Sequence, residues 1–204
     1  MKRNLKAIQV APHIYAVGAI DWNVRNFHGY LTGRGSTYHA FLIVDEKITL
    51  VDTVKAPFAD DLLARIASVV DPEKIDYVIS NHSEPDHSGA LPRILEAVKP
   101  EKLFASVAGA KTLKAYYGID ATVVKTGDSI SLGKGNVAFV DTKMLHWPDS
   151  MVSYYDLDKA LFSQDAFGMH LATSKLWGDK CDRSVLDHEA RKYFANIIPV
   201  LQYR

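Results

Sequence analysis

The stretch VISNHSEPDHSGA places four side chains that can bind a metal ion within six residues: His82, Glu84, Asp86 and His87. It begins with a short apolar run typical of a buried strand and turns polar at the strand end, where α/β sheets bind ligands. Imidazole nitrogens and carboxylate oxygens suit iron, manganese or zinc. The spacing of two and four residues lets the first pair face one metal ion and the second pair another. The competing interpretation is a polar loop in which Asp86 or Ser88 caps the following helix.

Two further strand ends offer similar side chains. His146 follows a predicted strand in DTKMLHWPDS, and Asp165 ends the apolar run ALFSQDAFG. A buried carboxylate at such a position needs a cation or hydrogen-bond donors. Each residue could instead be structural, His146 as a satisfied core histidine and Asp165 as a turn residue. Three strand ends that all deliver nitrogen and oxygen donors nevertheless favour a metal site.

The elements around these loops follow an α/β pattern. Short runs such as HAFLIV and ITLVDT predict strands, and PFADDLLARIASVV has apolar residues at helical spacing. Helix-like and strand-like stretches alternate from there to ATVVKT, after which strand-like stretches return and VLDHEARKYFANII predicts a closing helix. This order predicts two mixed sheets packed face to face with helices outside. Residues 168–184 show no clear period and are expected to form a lid-like loop near a site.

The composition argues against several other classes of function. Lys+Arg and Asp+Glu both number 24, so no net charge points to nucleic acid or to an anionic membrane. No run of about 18 apolar residues predicts a transmembrane helix, and MKRNLKAIQV lacks the apolar core of a signal peptide. The single Cys181 cannot form an internal disulfide. We therefore expect a cytoplasmic protein with neither nucleic acid nor membrane as a partner.

The motif HSEPDH, followed by HWPDS and SQDAFG, resembles the metallo-β-lactamase-like domain of the flavodiiron proteins, also called A-type flavoproteins. The resemblance extends over residues 1–204 and includes WNVRNFHGY and YFANII. It implies the αββα sandwich of that fold. In hydrolases of the same superfamily the first loop reads His-x-His-x-Asp-His and holds zinc. Here Glu84 stands at the second position, and a harder, anionic donor favours iron redox chemistry over zinc-hydroxide hydrolysis.

The resemblance also implies a pair of iron ions, with zinc as their substitute. The implied ligands are His82, Glu84 and His146 on one iron, Asp86 and His87 on the other, and Asp165 as the bridge. In some members of the family the histidine at position 87 is replaced as a ligand by water. Three carboxylates would offset most of the charge of two ferrous ions, leaving a nearly neutral site with a bridging hydroxide.

The resemblance also implies roles close to the metal ions for three residues with aromatic rings. His28 resembles a histidine that lines the distal pocket and stabilises a bound oxygen by hydrogen bonding, and Tyr193 approaches the same pocket. Trp147 stands where a flavin docks. The competing interpretations are a loop histidine, a core tyrosine and a packed tryptophan. Three other residues are expected to be structural or at the surface: Tyr30, His170 and His188.

Family members carry a further histidine ligand and a flavodoxin-like domain that binds FMN. Neither is found up to residue 204, so we expect a truncated chain that binds its second metal ion weakly and receives FMN from a missing or partner domain. The resemblance implies reduction of O2 to water or of NO to N2O, electrons from rubredoxin or a similar carrier, and a head-to-tail homodimer. Two alternatives stay open: an oxygen-binding diiron sensor without a flavodoxin domain, and a zinc hydrolase, which Glu84 disfavours.

Overall fold

The computed structural model describes residues 5–198. The domain expected from the sequence covers residues 1–204, so its ends, 1–4 and 199–204, lie outside the described range. The C-terminal stretch PVLQYR, residues 199–204, lies wholly in the undescribed part.

Strands dominate the part of the chain that the structure describes. They are β1 (Ile8–Ala11), β2 (Ile14–Ala16), β3 (Ala19–Asp21), β4 (Asn26–Phe27), β5 (Tyr30–Leu31), β6 (Ser36–Tyr38), β7 (Phe41–Ile43), β8 (Thr49–Val51), β9 (Tyr77–Ser80), β10 (Lys102–Ser106), β11 (Thr122–Val124), β12 (Ser129–Ser131), β13 (Asn136–Asp141), β14 (Met151–Tyr155) and β15 (Ala160–Phe162). The α-helices are α1 (Ala59–Ala67), α2 (Pro85–Ser88), α3 (Leu91–Val98), α4 (Val107–Tyr117) and α5 (Arg183–Ile197). Short 3-10 turns occupy Ala56–Phe58, Pro72–Lys74 and Gly178–Lys180.

The larger sheet is mixed, as the alternation of helices and strands predicts. Its order is β1-β2-β7-β8-β9-β10-β11. The first four strands pair antiparallel with one another, and β8 to β11 pair parallel. The parallel part follows from the helical crossovers, because a parallel pair cannot be joined by a tight turn. The predicted α/β fold class is confirmed.

The smaller sheet differs from the expected mixed one. Its order is β12-β13-β14-β15, and all three pairings are antiparallel. No helix separates these strands in the described chain, so each connection simply reverses direction and gives an antiparallel neighbour. The sequence also failed to predict β12 and two small ribbons, β3 with β6 and β4 with β5.

Side chains of the larger sheet alternate between two cores, as successive residues of a strand point to opposite faces. Leu42, Leu50 and Val78 face the helices, in one core with side chains of α1, α3 and α4. Ile43 and Ile79, one residue further on, face the smaller sheet and form the second core with its buried side chains. The second core therefore lies between two sheets packed face to face.

Gly18 lies where the chain between β2 and β3 passes the chain between β6 and β7. A Cβ on Gly18 would overlap the carbonyl oxygen of Tyr38 and lie 2.9 Å from the amide of Ala40. We expect Gly18→Ala to lower the free energy of unfolding by about 1–3 kcal/mol, measured by urea denaturation. Gly33→Ala is the control, since apart from its chain neighbours no described residue comes within 4 Å of the added methyl group. Equal midpoints for the two variants would contradict the expected overlap.

Candidate metal centre

The four polar side chains after β9 are positioned by a backbone that changes from loop to short helix along this segment. His82 lies in irregular chain after the strand, Glu84 is extended, and Pro85 then opens α2, whose first turn accommodates a proline. Asp86 and His87 project from this short helix. All four side chains are buried, which is unusual for charged groups unless they are paired or bind a metal ion.

The other two strand ends meet this loop at one edge of the sandwich. β13 and β15 both run antiparallel to β14, so their carboxyl ends lie at the same edge of the smaller sheet. His146 follows β13 and Asp165 follows β15. The Met151 amide, at the start of β14, donates to the Asn81 carbonyl at 3.0 Å and joins this edge to the end of β9.

Two imidazoles and two carboxylates form the first cluster: His82, Glu84, His146 and Asp165. His146 Nε2 lies 2.9 Å from Glu84 Oε2 and 3.0 Å from Asp165 Oδ2. His82 Nε2 lies 3.4 Å and 3.3 Å from the same two oxygens. The four donor atoms lie within 4.8 Å of one another, and nitrogen and oxygen donors in this number suit a transition-metal ion.

A second cluster shares Asp165 with the first. It contains Asp86, His87 and Asp165, again with donor atoms within 4.8 Å. His87 Nε2 donates to Asp165 Oδ1 at 3.0 Å and lies 3.7 Å from Asp86 Oδ2. Asp165 thus presents Oδ1 to one cluster and Oδ2 to the other. A third cluster joins His28 to Glu84 and Asp86.

Two buried carboxylate oxygens show that these clusters fit a cation. Asp86 Oδ1 and Asp165 Oδ2 have no hydrogen-bond partner within residues 5–198, although Asp165 Oδ2 is close to two imidazole nitrogens. A buried oxygen without a donor is costly. Carboxylate oxygens and imidazole nitrogens that converge in this way are an arrangement that a metal ion would satisfy.

The protonation of the clusters reflects the same crowding. Burial alone would lower the pKa of His146, but interactions with Asp165 and Glu84 raise it to about 9. Burial raises the pKa of Glu84 and Asp165, yet neighbouring histidines outweigh burial and hold both values below their usual range. Imidazolium groups therefore balance the carboxylates when no cation is bound, and binding of a metal ion would release these protons.

Asp149 supports His82 from behind. His82 Nδ1 donates to Asp149 Oδ2 at 3.1 Å, and the Ser83 amide donates to the same oxygen at 2.7 Å. A carboxylate in this position fixes the orientation of a metal-binding imidazole and raises its basicity. Sequence reasoning missed Asp149, although it lies within the motif HWPDS.

We expect Asp149→Asn to weaken metal binding by about 10–100-fold, because the asparagine carries no charge to orient and polarise His82. Chelator competition on the purified chain measures the dissociation constant. Asp156→Asn is the control, since Asp156 accepts from the Asn136 amide at 2.7 Å and lies on an exposed turn. Equal dissociation constants for Asp149→Asn and the wild type would show that Asp149 does not support a ligand.

His28 reaches the clusters from the tip of the β4–β5 hairpin. His28 and Gly29 have φ values of 54° and 78°, and such values at both central residues define the two-residue turn that favours hairpins. The His28 ring stacks on Phe27 with centroids 3.9 Å apart. Its Nε2 donates to Glu84 Oε1 at 2.9 Å. His28 therefore lies at the wall of the site.

His170 is not a surface residue as one expectation allowed. It is buried, and its Nε2 lies 3.1 Å from His28 Nδ1. It belongs to the 168–184 segment, part of which lines a cavity of about 280 Å³ together with Asp86, His87 and Asp165. The irregular segment thus covers the site from one side.

The remaining candidates divide between site and surface. Tyr193, on α5, lines the same cavity, and its buried hydroxyl lacks a hydrogen-bond partner in the described chain. Trp147 stands edge-on to His82 with centroids 5.2 Å apart. Tyr30 is partly buried beneath α5, whereas His188 is exposed. Within residues 5–198, no helix is both long and apolar enough to cross a bilayer.

Comparison with known proteins agrees with this arrangement. Residues 37–196 match the family model described as "ODP family beta lactamase". The chain is 48% identical over 198 residues to the rubredoxin-oxygen oxidoreductase of Megalodesulfovibrio gigas, covering 95% of this chain and 49% of the relative. It is 45% identical over 196 residues to the nitric oxide reductase of Moorella thermoacetica, covering 94% and 49%.

Solved structures show the same relationship. The rubredoxin oxygen:oxidoreductase of Desulfovibrio gigas superposes with a TM-score of 0.92 at 47% identity, covering 95% of this chain and 49% of that one. The flavodiiron protein of Giardia intestinalis superposes with a TM-score of 0.90 at 38% identity, covering 97% and 49%. The chain therefore spans about half the length of these relatives.

Proposed function

We propose a function that follows from the family of this chain. The chain belongs to the family described as "ODP family beta lactamase", and it corresponds to the diiron-type domain of flavodiiron proteins. The proposed function is reduction of O2 to water, of NO to N2O, or of both. Two of the relatives are named for reactions of oxygen and of nitric oxide. We further propose that residues 1–204 form the metallo-β-lactamase-like domain and that the protein is cytoplasmic.

The two faces of Asp165 carry this proposal, because one carboxylate between two clusters is the arrangement of a bridged metal pair. The proposed ligands are His82, Glu84 and His146 for one iron ion, Asp86 and His87 for the other, and Asp165 for both. Glu84 favours iron over zinc because it replaces a neutral nitrogen with an anionic oxygen. When bound, the iron pair would pass electrons from the flavin to the gas, two for each change of the pair between the ferrous and ferric states.

The chain's own residues account for the environment of the reaction. His28 Nε2–H points toward Glu84 at the wall of the site, and the Tyr193 hydroxyl, which interacts with Asp165, lines the cavity. Both can stabilise charge that develops on oxygen, since a donor in a water-poor site is stronger than one in water. Reduction of two NO to N2O and water needs two electrons and two protons, and reduction of O2 to two water molecules needs four of each.

Electron delivery belongs to the proposal as well. We infer that FMN, held by another domain or by a partner subunit, transfers electrons that come from rubredoxin or a similar carrier. Trp147 is the proposed place for the flavin to dock, because its ring contacts both His82 and His146. The proposed assembly is a head-to-tail homodimer, which would bring one subunit's flavin to the other subunit's metal ions.

Metal content and turnover test the proposed function together. After anaerobic expression in iron-sufficient medium, we expect near two iron ions per chain, and fewer in His82→Ala. The iron-loaded protein, supplied with reduced FMN and rubredoxin, should consume O2 or NO. Two zinc ions with hydrolysis of an ester or lactam would instead identify a zinc hydrolase, and reversible O2 binding without consumption would identify a sensor.

A further inference from the structure

A line of polar contacts runs from the metal centre into the protein through two histidines outside the proposed ligand set. His28 Nε2 lies 2.9 Å from Glu84 Oε1, and His28 Nδ1 lies 3.1 Å from His170 Nε2. His170 Nδ1 lies 3.0 Å from the Ser36 hydroxyl. We propose that Ser36 and His170 are positioning residues that hold the His28 ring with its Nε2–H directed at the site. This inference rests on the proposed function, because the proposed reaction is what would use the hydrogen on His28 Nε2.

The direction of each hydrogen bond follows from the first. An ionised carboxylate only accepts, so His28 Nε2 must carry a hydrogen. If this is the only hydrogen on the His28 ring, Nδ1 is bare and accepts from His170 Nε2–H at 3.1 Å. His170 in turn has a bare Nδ1, which accepts from the Ser36 hydroxyl. The serine therefore completes a chain in which each ring is held in one tautomer.

The surroundings of His170 favour this assignment of the hydrogen bonds. Its side chain and Ser36 are both buried. Burial lowers the pKa of His170 to about 3, so the ring is uncharged at neutral pH and carries a single N–H. A buried neutral imidazole needs a donor for one nitrogen and an acceptor for the other. Ser36 and His28 supply both partners.

A second contact fixes the plane of the His28 ring but not its tautomer. Phe27 stacks on His28 with 20° between the ring planes, and Lys55 Nζ lies 3.5 Å from the centre of the Phe27 ring. Stacking restrains the tilt of an imidazole, yet it is indifferent to which nitrogen carries the hydrogen. His170 and Ser36 are the groups whose hydrogen bonds distinguish the two nitrogens.

Imidazole tautomers in the full chain loaded with zinc, which is diamagnetic, can be read by long-range ¹H–¹⁵N NMR correlation. We expect wild-type His28 to show a single Nε2–H tautomer. Ser36→Ala should lose it and give averaged nitrogen shifts, whereas Ser36→Thr, which keeps the hydroxyl, should retain it. The exposed His188 is the internal reference. Unchanged His28 shifts in Ser36→Ala would overturn the proposal.

Turnover provides the second readout. In the iron-loaded protein, Ser36→Ala and His170→Gln should lower kcat for the gas consumed by about 10–100-fold, with KM little changed, and Ser36→Thr should restore most of it. If the wild type consumes neither gas, the proposed function fails while the NMR shifts still decide the positioning role. If the wild type turns over and Ser36→Ala changes neither shifts nor kcat, the positioning role is wrong and the function stands.

Discussion

Asp165→Asn is expected to reduce bound metal from about two ions per chain to well below one. The substitution is nearly isosteric, so it removes charge without removing volume. Because Asp165 presents one oxygen to each cluster, neutralising it weakens both metal positions together, and the charges of two cations in one buried site are then poorly balanced. Elemental analysis of the purified chain, normalised to protein, measures the loss.

Asp120→Asn is the matched control for this loss. Asp120 pairs with Lys114 at the surface, and its side chain is 85% exposed, so we expect wild-type metal content. Far-ultraviolet circular dichroism should show that both variants fold. Retention of two ions by Asp165→Asn would exclude a bridging role, and loss of only one ion would place Asp165 on a single metal.

Glu84→His is expected to change the identity of the bound metal and to abolish most redox turnover. A neutral imidazole raises the charge of the site by one unit and favours zinc over ferric iron. We expect the iron-to-zinc ratio to fall, and O2 or NO consumption to fall by more than about 100-fold. That loss exceeds the roughly 10–100-fold typical when a group behind a ligand is removed.

Glu84→Asp distinguishes the effect of the charge of residue 84 from the effect of its side-chain length. It keeps the carboxylate but shortens the side chain by one methylene, so both the contact with His146 and the hydrogen bond from His28 should lengthen. We expect it to retain iron preferentially while losing part of the activity. If Glu84→His and Glu84→Asp bind iron and zinc in the same ratio, the charge of residue 84 does not select the metal.

The metal-binding loop could be predicted because its donors are adjacent in sequence. His82 to His87 form one motif after one strand, so spacing alone indicates the chemistry. The participation of His146 and Asp165 could be predicted from the rule that strand ends lie together at one edge of a sheet. The parallel part of the larger sheet was predictable for a similar reason, since helical crossovers force it.

Contacts between distant segments could not be predicted in this way. His170 and His28 are separated by 142 positions, and nothing in the local sequence of either residue indicates the other. The β4–β5 hairpin did leave a signal, because His28-Gly29 can adopt the two positive φ values that a tight turn requires. The antiparallel smaller sheet was also readable in principle, from the absence of a helical pattern between its strands.

The hydrogen bonds that join the two sheets beside the site involve none of the proposed metal ligands. Met151 donates to Asn81 across the seam, and Asp149 accepts from the Ser83 amide. Small metal-dependent domains fold and bind their ion in one event, whereas here groups outside the proposed ligand set help to join the two sheets. We expect maturation to be a late step, in which a finished fold takes up whichever ion is supplied. Because zinc outranks ferrous iron in affinity, the supply of iron at that moment would decide whether the centre can transfer electrons.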